Sequence, residues 1–311
     1  MNKLYWVFMT GVIAFVITYL FMTLMPVAMR IYKKRCKVPL VWGMHADPGP
    51  AFGKVLGLLP IILGVLMYFH YSNVRHVENP SDKLLPSITQ MYNEVKTYVS
   101  VPDKRSGNIL FFEDTKASLR RLTIGVSASA VIGYVMGILM GLYPGIRALF
   151  STTITMLSNI NPLAILVIVL VAMGIGEGSK IFLIVFGIGV TLSRSIQQAV
   201  QNIPPEMIVK QETLGATQLA IIFRVVAPQM FPRLVDLVRV SLGAAWIFVI
   251  AAEAIASTEG LGYRIYLQQR YMNMALIIPI VGFITTIAFT SDYVLRKVLC
   301  LRKFKWYTSG G

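Results

Sequence analysis

The chain has 311 residues, of which 56% are hydrophobic and 14% charged, and its mean hydropathy is +0.66. That balance excludes an ordinary soluble domain, where about a quarter of residues are charged, and predicts an all-α polytopic membrane protein. The net charge of +15 raises the question of a nucleic-acid partner, but the cations cluster beside apolar runs and leave no basic-aromatic groove, so none is expected.

Uncharged runs cover residues 4–29, 55–74, 122–146, 148–176 and 271–291, each near the ~20 residues that a helix needs to cross the hydrocarbon. Two more are interrupted: 181–193 stops at Arg194, and 240–258 carries Glu253. About seven spans are predicted in all. Arg30, Lys33, Lys34, Arg35 and Lys37 follow the first run, and Arg296, Lys297, Arg302, Lys303 and Lys305 follow the last. The positive-inside rule places both clusters in the cytoplasm, with the N-terminus outside and the C-terminus inside. The first run is too long for a signal-peptide core and ends in a stop-transfer cluster, so it is expected to stay as a helix. Cys36 and Cys300 lie in the two basic clusters, where no disulfide is expected, and His45, His70 and His76 have no metal-ligand spacing.

Residues 1–52 thus comprise a first helix and a basic loop, and 53–119 a second helix with a long external segment. In that segment Ile88, Met91, Tyr92, Val95 and Tyr98 recur at helical spacing after Pro86-Ser87. Such a helix lies either in the membrane interface or on the protein's own outer surface. The core, 120–297, is predicted to hold spans at 120–143, 149–173, 179–199, 237–257 and 272–297, with a cytoplasmic segment at 201–236. A basic tail, 298–311, follows. Gly133, Gly137 and Gly141 form a small-residue ridge along which another helix can approach closely. Pro60, Pro162 and Pro279 are expected to kink their spans.

No phosphate-binding loop, nucleophile elbow, H-E-x-x-H pair or paired-carboxylate cluster occurs, so the chain is not expected to be an enzyme. The informative segment is 202–232. Pro204 and Pro205 suit a helix start, Gly215 provides a break, and Pro228 is expected to end a second short helix. Ile208, Leu219, Ile222, Phe223 and Val226 supply more apolar surface than one packed face needs, which favours docking into a partner's groove.

Leu214-Gly215-Ala216, with Pro228 beyond, resembles the EAA loop by which permeases of ABC importers engage their ATPases. Leu85-Pro86-Ser87, Ser118-Leu119-Arg120-Arg121, Asn161-Pro162-Leu163-Ala164, the string Gly-Ile-Gly-Glu-Gly-Ser-Lys-Ile-Phe-Leu at 174–183 and the string Ala-Ala-Glu-Ala-Ile-Ala-Ser-Thr-Glu-Gly-Leu-Gly at 251–262 resemble the nitrate, taurine, aliphatic-sulfonate and bicarbonate branch. The resemblance runs over residues 84–300. Where the family has glutamate and two alanines this chain has Val209-Lys210-Gln211, and the helix at 4–29 with its loop is an addition. The resemblance implies a type I importer permease core with one extra N-terminal helix, in a bacterial plasma membrane. It implies a homodimer with two cytoplasmic ABC ATPase subunits that carry the ATP and Mg, an external solute-binding protein, a surrounding of membrane lipids, and no cofactor in this chain.

On that reading Glu206, Leu214, Gly215, Ala216, Phe223 and Pro228 are the ATPase-coupling candidates. Polar residues at membrane depth are the path candidates: Ser158, Asn159 and Asn161 on the fourth span and Glu253 on the sixth. Glu253 would repel an anion if ionised, so a structural role at a helix contact competes for it. Asn159 and Asn161 compete likewise as caps of the break at Pro162. The expected cargo is a small anion. An ion-coupled secondary transporter and a non-transporting scaffold are the alternative classes, although the single intramembrane acid and the lack of an internal repeat speak against the first.

Overall fold

The computed structural model describes residues 50–78, 83–102 and 107–299. The span expected at 4–29, the basic loop up to residue 49, both cysteines and most of the basic tail lie outside the described residues. The chain divides into two compact units at Tyr71 and Ser72. The described part of the first is the body of helix α1 (Pro50–Glu78), which coincides with the expected second span and passes through Pro60 as one helix.

The second unit opens with the last two turns of α1, where Ser72 Oγ donates to the carbonyls of Leu85 and Pro86 at 3.1 and 3.3 Å. Helix α2 (Ile88–Ser100) follows a capping box. The Ser87 hydroxyl accepts from the Gln90 amide, and the Gln90 side chain accepts from the Ser87 amide at 3.0 Å. Tyr98 is buried, and Val95 packs on the same cluster as Phe111, Phe283 and Ile284. The C-terminal half of the amphipathic helix therefore packs on the protein's own surface, while Ile88 and Tyr92 of the same predicted face stay exposed.

Helices α3 (Leu110–Leu142), α4 (Pro144–Ser158), α5 (Pro162–Met173) and α6 (Glu177–Gln201) come next. The packing of α3 on α6 follows from the glycine ridge. A Cβ at Gly125, Gly133, Gly137 or Gly141 would stand 2.5–2.7 Å from side-chain atoms of Ile184, Leu192, Ile196 or Val200 respectively. Both rows fall at multiples of four residues, with Ser129 filling the place between Gly125 and Gly133, so a ridge of branched side chains beds into a groove of small residues.

The predicted fourth span, 149–173, is corrected: α4 and α5 meet at a bend of 101° across residues 159–161. Of the three prolines expected to interrupt spans, only Pro162 stands at a break, because Pro60 and Pro279 sit inside continuous helices.

The short helices α7 (Pro205–Thr213) and α8 (Gln218–Ile221) follow, then a π-helical turn (Ile222–Val226) and α9 (Ala227–Ala256). The expectation that Pro228 ends a helix is also corrected. Pro228 offers no N–H to the carbonyl one turn back, and the chain widens so that the Ala227 amide donates to the Ile222 carbonyl. Gln218–Ala256 then runs as one element. The Tyr134 hydroxyl of α3 donates to the Ala227 carbonyl just past the turn. The fold closes with α10 (Leu261–Arg270) and α11 (Met274–Leu299). Four described helices are long and apolar enough to cross a membrane, and five if the bent pair forms one span.

Candidate functional site

The site begins with Arg121, which α3 carries into the protein at 2% exposure. Its Nε and Nη2 donate to the two carboxylate oxygens of Glu177 at 2.7 and 2.8 Å, a bidentate pair with the first turn of α6. Its Nη1 donates to Glu253 Oε1 on α9 at 2.8 Å and to the Glu259 carbonyl at 3.0 Å. The Glu259 carboxylate lies 3.4 Å from Nη2. One guanidinium thus ties together α3, α6, α9 and the loop after α9.

Glu253 is fully buried. Its oxygens accept from Arg121, from the Ser118 hydroxyl at 2.8 Å and from the Gly262 amide at 2.9 Å. Ser118 Oγ accepts in turn from the Leu261 amide at 2.9 Å. Gly260, at φ +121°, lies so close that a Cβ would stand 2.5 Å from the Glu253 carboxyl, which is the physical reason for glycine here. Beside it, Asp114 accepts from the Gly260 amide at 2.9 Å, from Arg264 Nε at 2.8 Å and from the Tyr98 hydroxyl at 2.6 Å. Burial, and then the Asp114 carboxylate, push the Tyr98 phenol up, so it remains a donor. Lys180 completes the group, donating to Glu177 at 2.8 Å and to the Ser257 hydroxyl at 3.0 Å.

With no exposed surface and both oxygens engaged, Glu253 takes up in this structure the competing role, a pin at a helix contact. Arg121, Glu177 and Lys180 stood in the sequence only as parts of motif strings, and their role was missed there.

Ser158, Asn159 and Asn161 meet at the bend between α4 and α5. Asn161 caps α5, its side chain accepting from the Leu163 amide at 3.1 Å, and Asn159 is the exposed C-cap position of α4. Ser158 Oγ donates to the Thr155 carbonyl at 2.8 Å and accepts from Arg194 Nη1 at 3.2 Å. A cavity of about 180 Å³ lies against this bend. Arg194, which in the sequence only ended an apolar run, is the cation nearest these residues by hydrogen bonding.

The third region is the turn between α7 and α8. Gly215 has φ +80°, a left-handed conformation that glycine adopts freely, and nothing lies within 4 Å of where its Cβ would be. Thr217 caps α8, its hydroxyl accepting from the Ala220 amide at 3.3 Å. Leu214, Leu219 and Phe223 are exposed at 74%, 65% and 71%, with Met207 and Val209 exposed beside them. Glu206 lies exposed in the first turn of α7 and Pro228 exposed past the π turn, while Ala216 is half-buried. Val226, expected on the docking surface, is fully buried against Ile196, Val200 and Met230, and Ile208 packs on the same cluster. Among the described residues the exposed apolar surface of this region is made by Leu214, Leu219 and Phe223 with Met207 and Val209.

A family model for the binding-protein-dependent transport system inner membrane component matches residues 131–297, more than half of the chain. The chain belongs to this family. The permease is 31% identical over 182 residues to the taurine transport system permease TauC of Escherichia coli K12, covering 58% of this chain and 66% of TauC, just under two thirds of that relative's length. It is 27% identical over 224 residues to the bicarbonate transport system permease CmpB of Synechocystis, covering 70% and 79% of the two chains. Among solved structures, a chain of the inward-facing MetNI methionine ABC transporter superposes with a TM-score of 0.55 at 19% identity, over 61% of this chain and 94% of that one. At that identity the likeness establishes the fold, which is the type I ABC importer permease arrangement. The sequence motifs at 118–121, 174–183 and 251–262 thus turn out to be one structural object, the cluster around Arg121.

Proposed function

We propose that this permease forms the membrane path of an importer that carries a small anion into the cytoplasm. Two copies enclose the path, two cytoplasmic ABC ATPase subunits hydrolyse ATP beneath them, and an external solute-binding protein delivers the cargo. On this reading α2 lies outside and the α7–α8 turn inside the plasma membrane, with the N-terminus out and the C-terminus in. The observation that carries it is the exposed apolar turn around Gly215, where none of the described residues covers Leu214, Leu219 and Phe223. That turn stands at the start of a continuous element, Gln218–Ala256, roughly 58 Å long at a helical rise, whose far end holds Glu253 in the Arg121 cluster. A push on the turn is thereby delivered along a rigid rod to the place where α3, α6 and α9 are pinned together. Ser158, Asn159 and Asn161 are proposed to line the path at the α4–α5 bend, and the named cargoes of the relatives, taurine and bicarbonate, support a small anion.

The test is Gly215→Trp in a complex assembled with its ATPases. The indole would stand on the docking surface, and the left-handed backbone would carry a strain of about 1–2 kcal/mol. Membrane insertion should be unchanged and stimulation of ATP hydrolysis by loaded binding protein should fall severalfold. Full stimulation in a correctly assembled Gly215→Trp complex would remove this turn from the coupling role.

A further inference from the structure

We propose that Arg194 is the charged element of an anion subsite at the α4–α5 bend, where it holds the head group of a singly charged oxyanion during passage. The inference deepens the importer reading and rests on it for the identity of the cargo.

Arg194 stands half-buried on α6, on a helix apolar enough to cross a membrane, a costly place for a guanidinium. The cations of the Arg121 cluster are each matched by a carboxylate: Arg121 by Glu253 and Glu177, Lys180 by Glu177, Arg264 by Asp114. Arg194 has no such match among the described residues. Its one hydrogen bond is Nη1 to the Ser158 hydroxyl at 3.2 Å. A guanidinium has five N–H donors in a planar fork that suits carboxylate, nitrate or sulfonate oxygens, and among the described residues only one of them meets an acceptor.

The position of this unmatched charge gives it a use. Ser158 lies at the end of α4, where the chain turns through 101°, and it lines the cavity of about 180 Å³ together with Pro162, Thr191, Ser241 and Phe248. That volume suits an anion of a few heavy atoms rather than a larger organic ligand. The single donor of Ser158 is spent on the Thr155 carbonyl, so the charged donors at this bend are those of the guanidinium, beside the neutral amides of Asn159 and Asn161. α5 carries no basic residue, and the charge that an anion would meet at the bend comes from α6.

Two measurements test this on the complete complex with ATPases and binding protein, in proteoliposomes with internal ATP. The first is uptake of labelled nitrate, bicarbonate and taurine. Arg194→Gln should lower uptake of the transported probe at least roughly tenfold, the scale of one charge-assisted hydrogen bond, while binding-protein stimulation of ATP hydrolysis persists. Arg194→Lys, which keeps the charge and loses the fork, should retain more uptake than Arg194→Gln. The second uses Ser158→Cys with Cys36 and Cys300 replaced. Negatively charged sulfonatoethyl methanethiosulfonate should react about tenfold faster than its trimethylammonium counterpart, and Arg194→Gln should abolish that preference. Normal uptake in Arg194→Gln, equal losses in the glutamine and lysine variants, or a thiol preference indifferent to Arg194 would each overturn the subsite. Failure of the wild-type complex to take up any probe with ATP would instead remove the importer reading, and the thiol rates would still decide whether anions concentrate at Arg194.

Discussion

Replacing Arg121 by methionine keeps most of the side-chain volume and removes the guanidinium that Glu253, Glu177 and Glu259 share. The three acids do not suffer equally. Glu253 is at 0% exposure and would keep only Ser118 and the Gly262 amide, whereas Glu177 and Glu259 are 54% and 57% exposed and can turn to water. Breaking a buried pair from one side costs about 3–5 kcal/mol, while an exposed partner contributes about 1 kcal/mol at most. Arg121→Met should therefore destabilise by about 3–5 kcal/mol, a large part of a typical total stability. Glu253→Gln should cost less, since Arg121 keeps its bidentate pair with Glu177, and Glu177→Gln should cost least. The double variant Arg121→Met with Glu253→Gln carries no stranded charge and should be more stable than Arg121→Met alone. Equilibrium unfolding of the purified permease in mixed micelles measures all four. Equal losses for Arg121→Met and Glu177→Gln, or a double variant as unstable as the sum of its singles, would refute the asymmetric burial on which this order rests.

The glycine groove makes a second prediction: Gly137→Ala, whose Cβ would stand 2.6 Å from Ile196 Cβ, should destabilise by about 1–3 kcal/mol. Gly282→Ala, with nothing within 4 Å, should be neutral or slightly stabilising in the same unfolding assay, and equal effects would mean that α3 and α6 do not depend on this close approach. The proposed sidedness predicts that Lys96→Cys on α2 labels with an impermeant thiol reagent on intact cells and that Glu212→Cys on α7 does not, in a background without Cys36 and Cys300. Labelling of Glu212→Cys from outside would invert the assignment of the coupling turn.

Much of the fold was legible because apolar runs and their charged ends obey simple transfer energetics. The span predicted at 179–199 and the helix Glu177–Gln201 agree within a few residues, and Gly133, Gly137 and Gly141 announced a close helix contact without naming the partner. Hydropathy failed where continuity is set by backbone hydrogen bonding rather than polarity. The run at 148–176 has no charge to mark its bend, yet Asn161 and Pro162 together stop one helix and start another. Conversely, Pro228 looked like an end, and the π turn before Ala227 absorbs the missing donor and lets the helix continue.

The candidate site divides along the same line. The coupling turn could be read from sequence because its features are local: prolines, one glycine and apolar residues within a single segment. The Arg121 cluster could not, because Ser118, Glu177 and Glu253 are brought together only by the packing of α3, α6 and α9. That packing also explains what the family resemblance is able to carry. The strings at 118–121, 174–183 and 251–262 are three sides of one ionic pin, each requiring the others' charges, and such an object is tied to the fold rather than to any cargo. Ser158 and Arg194 lie outside those strings. The family match over residues 131–297 takes in Ser158 and Arg194 but not Ser118 or Arg121, so the pin by itself carries no information about cargo, and the small-anion reading rests on the relatives' named cargoes and on Arg194.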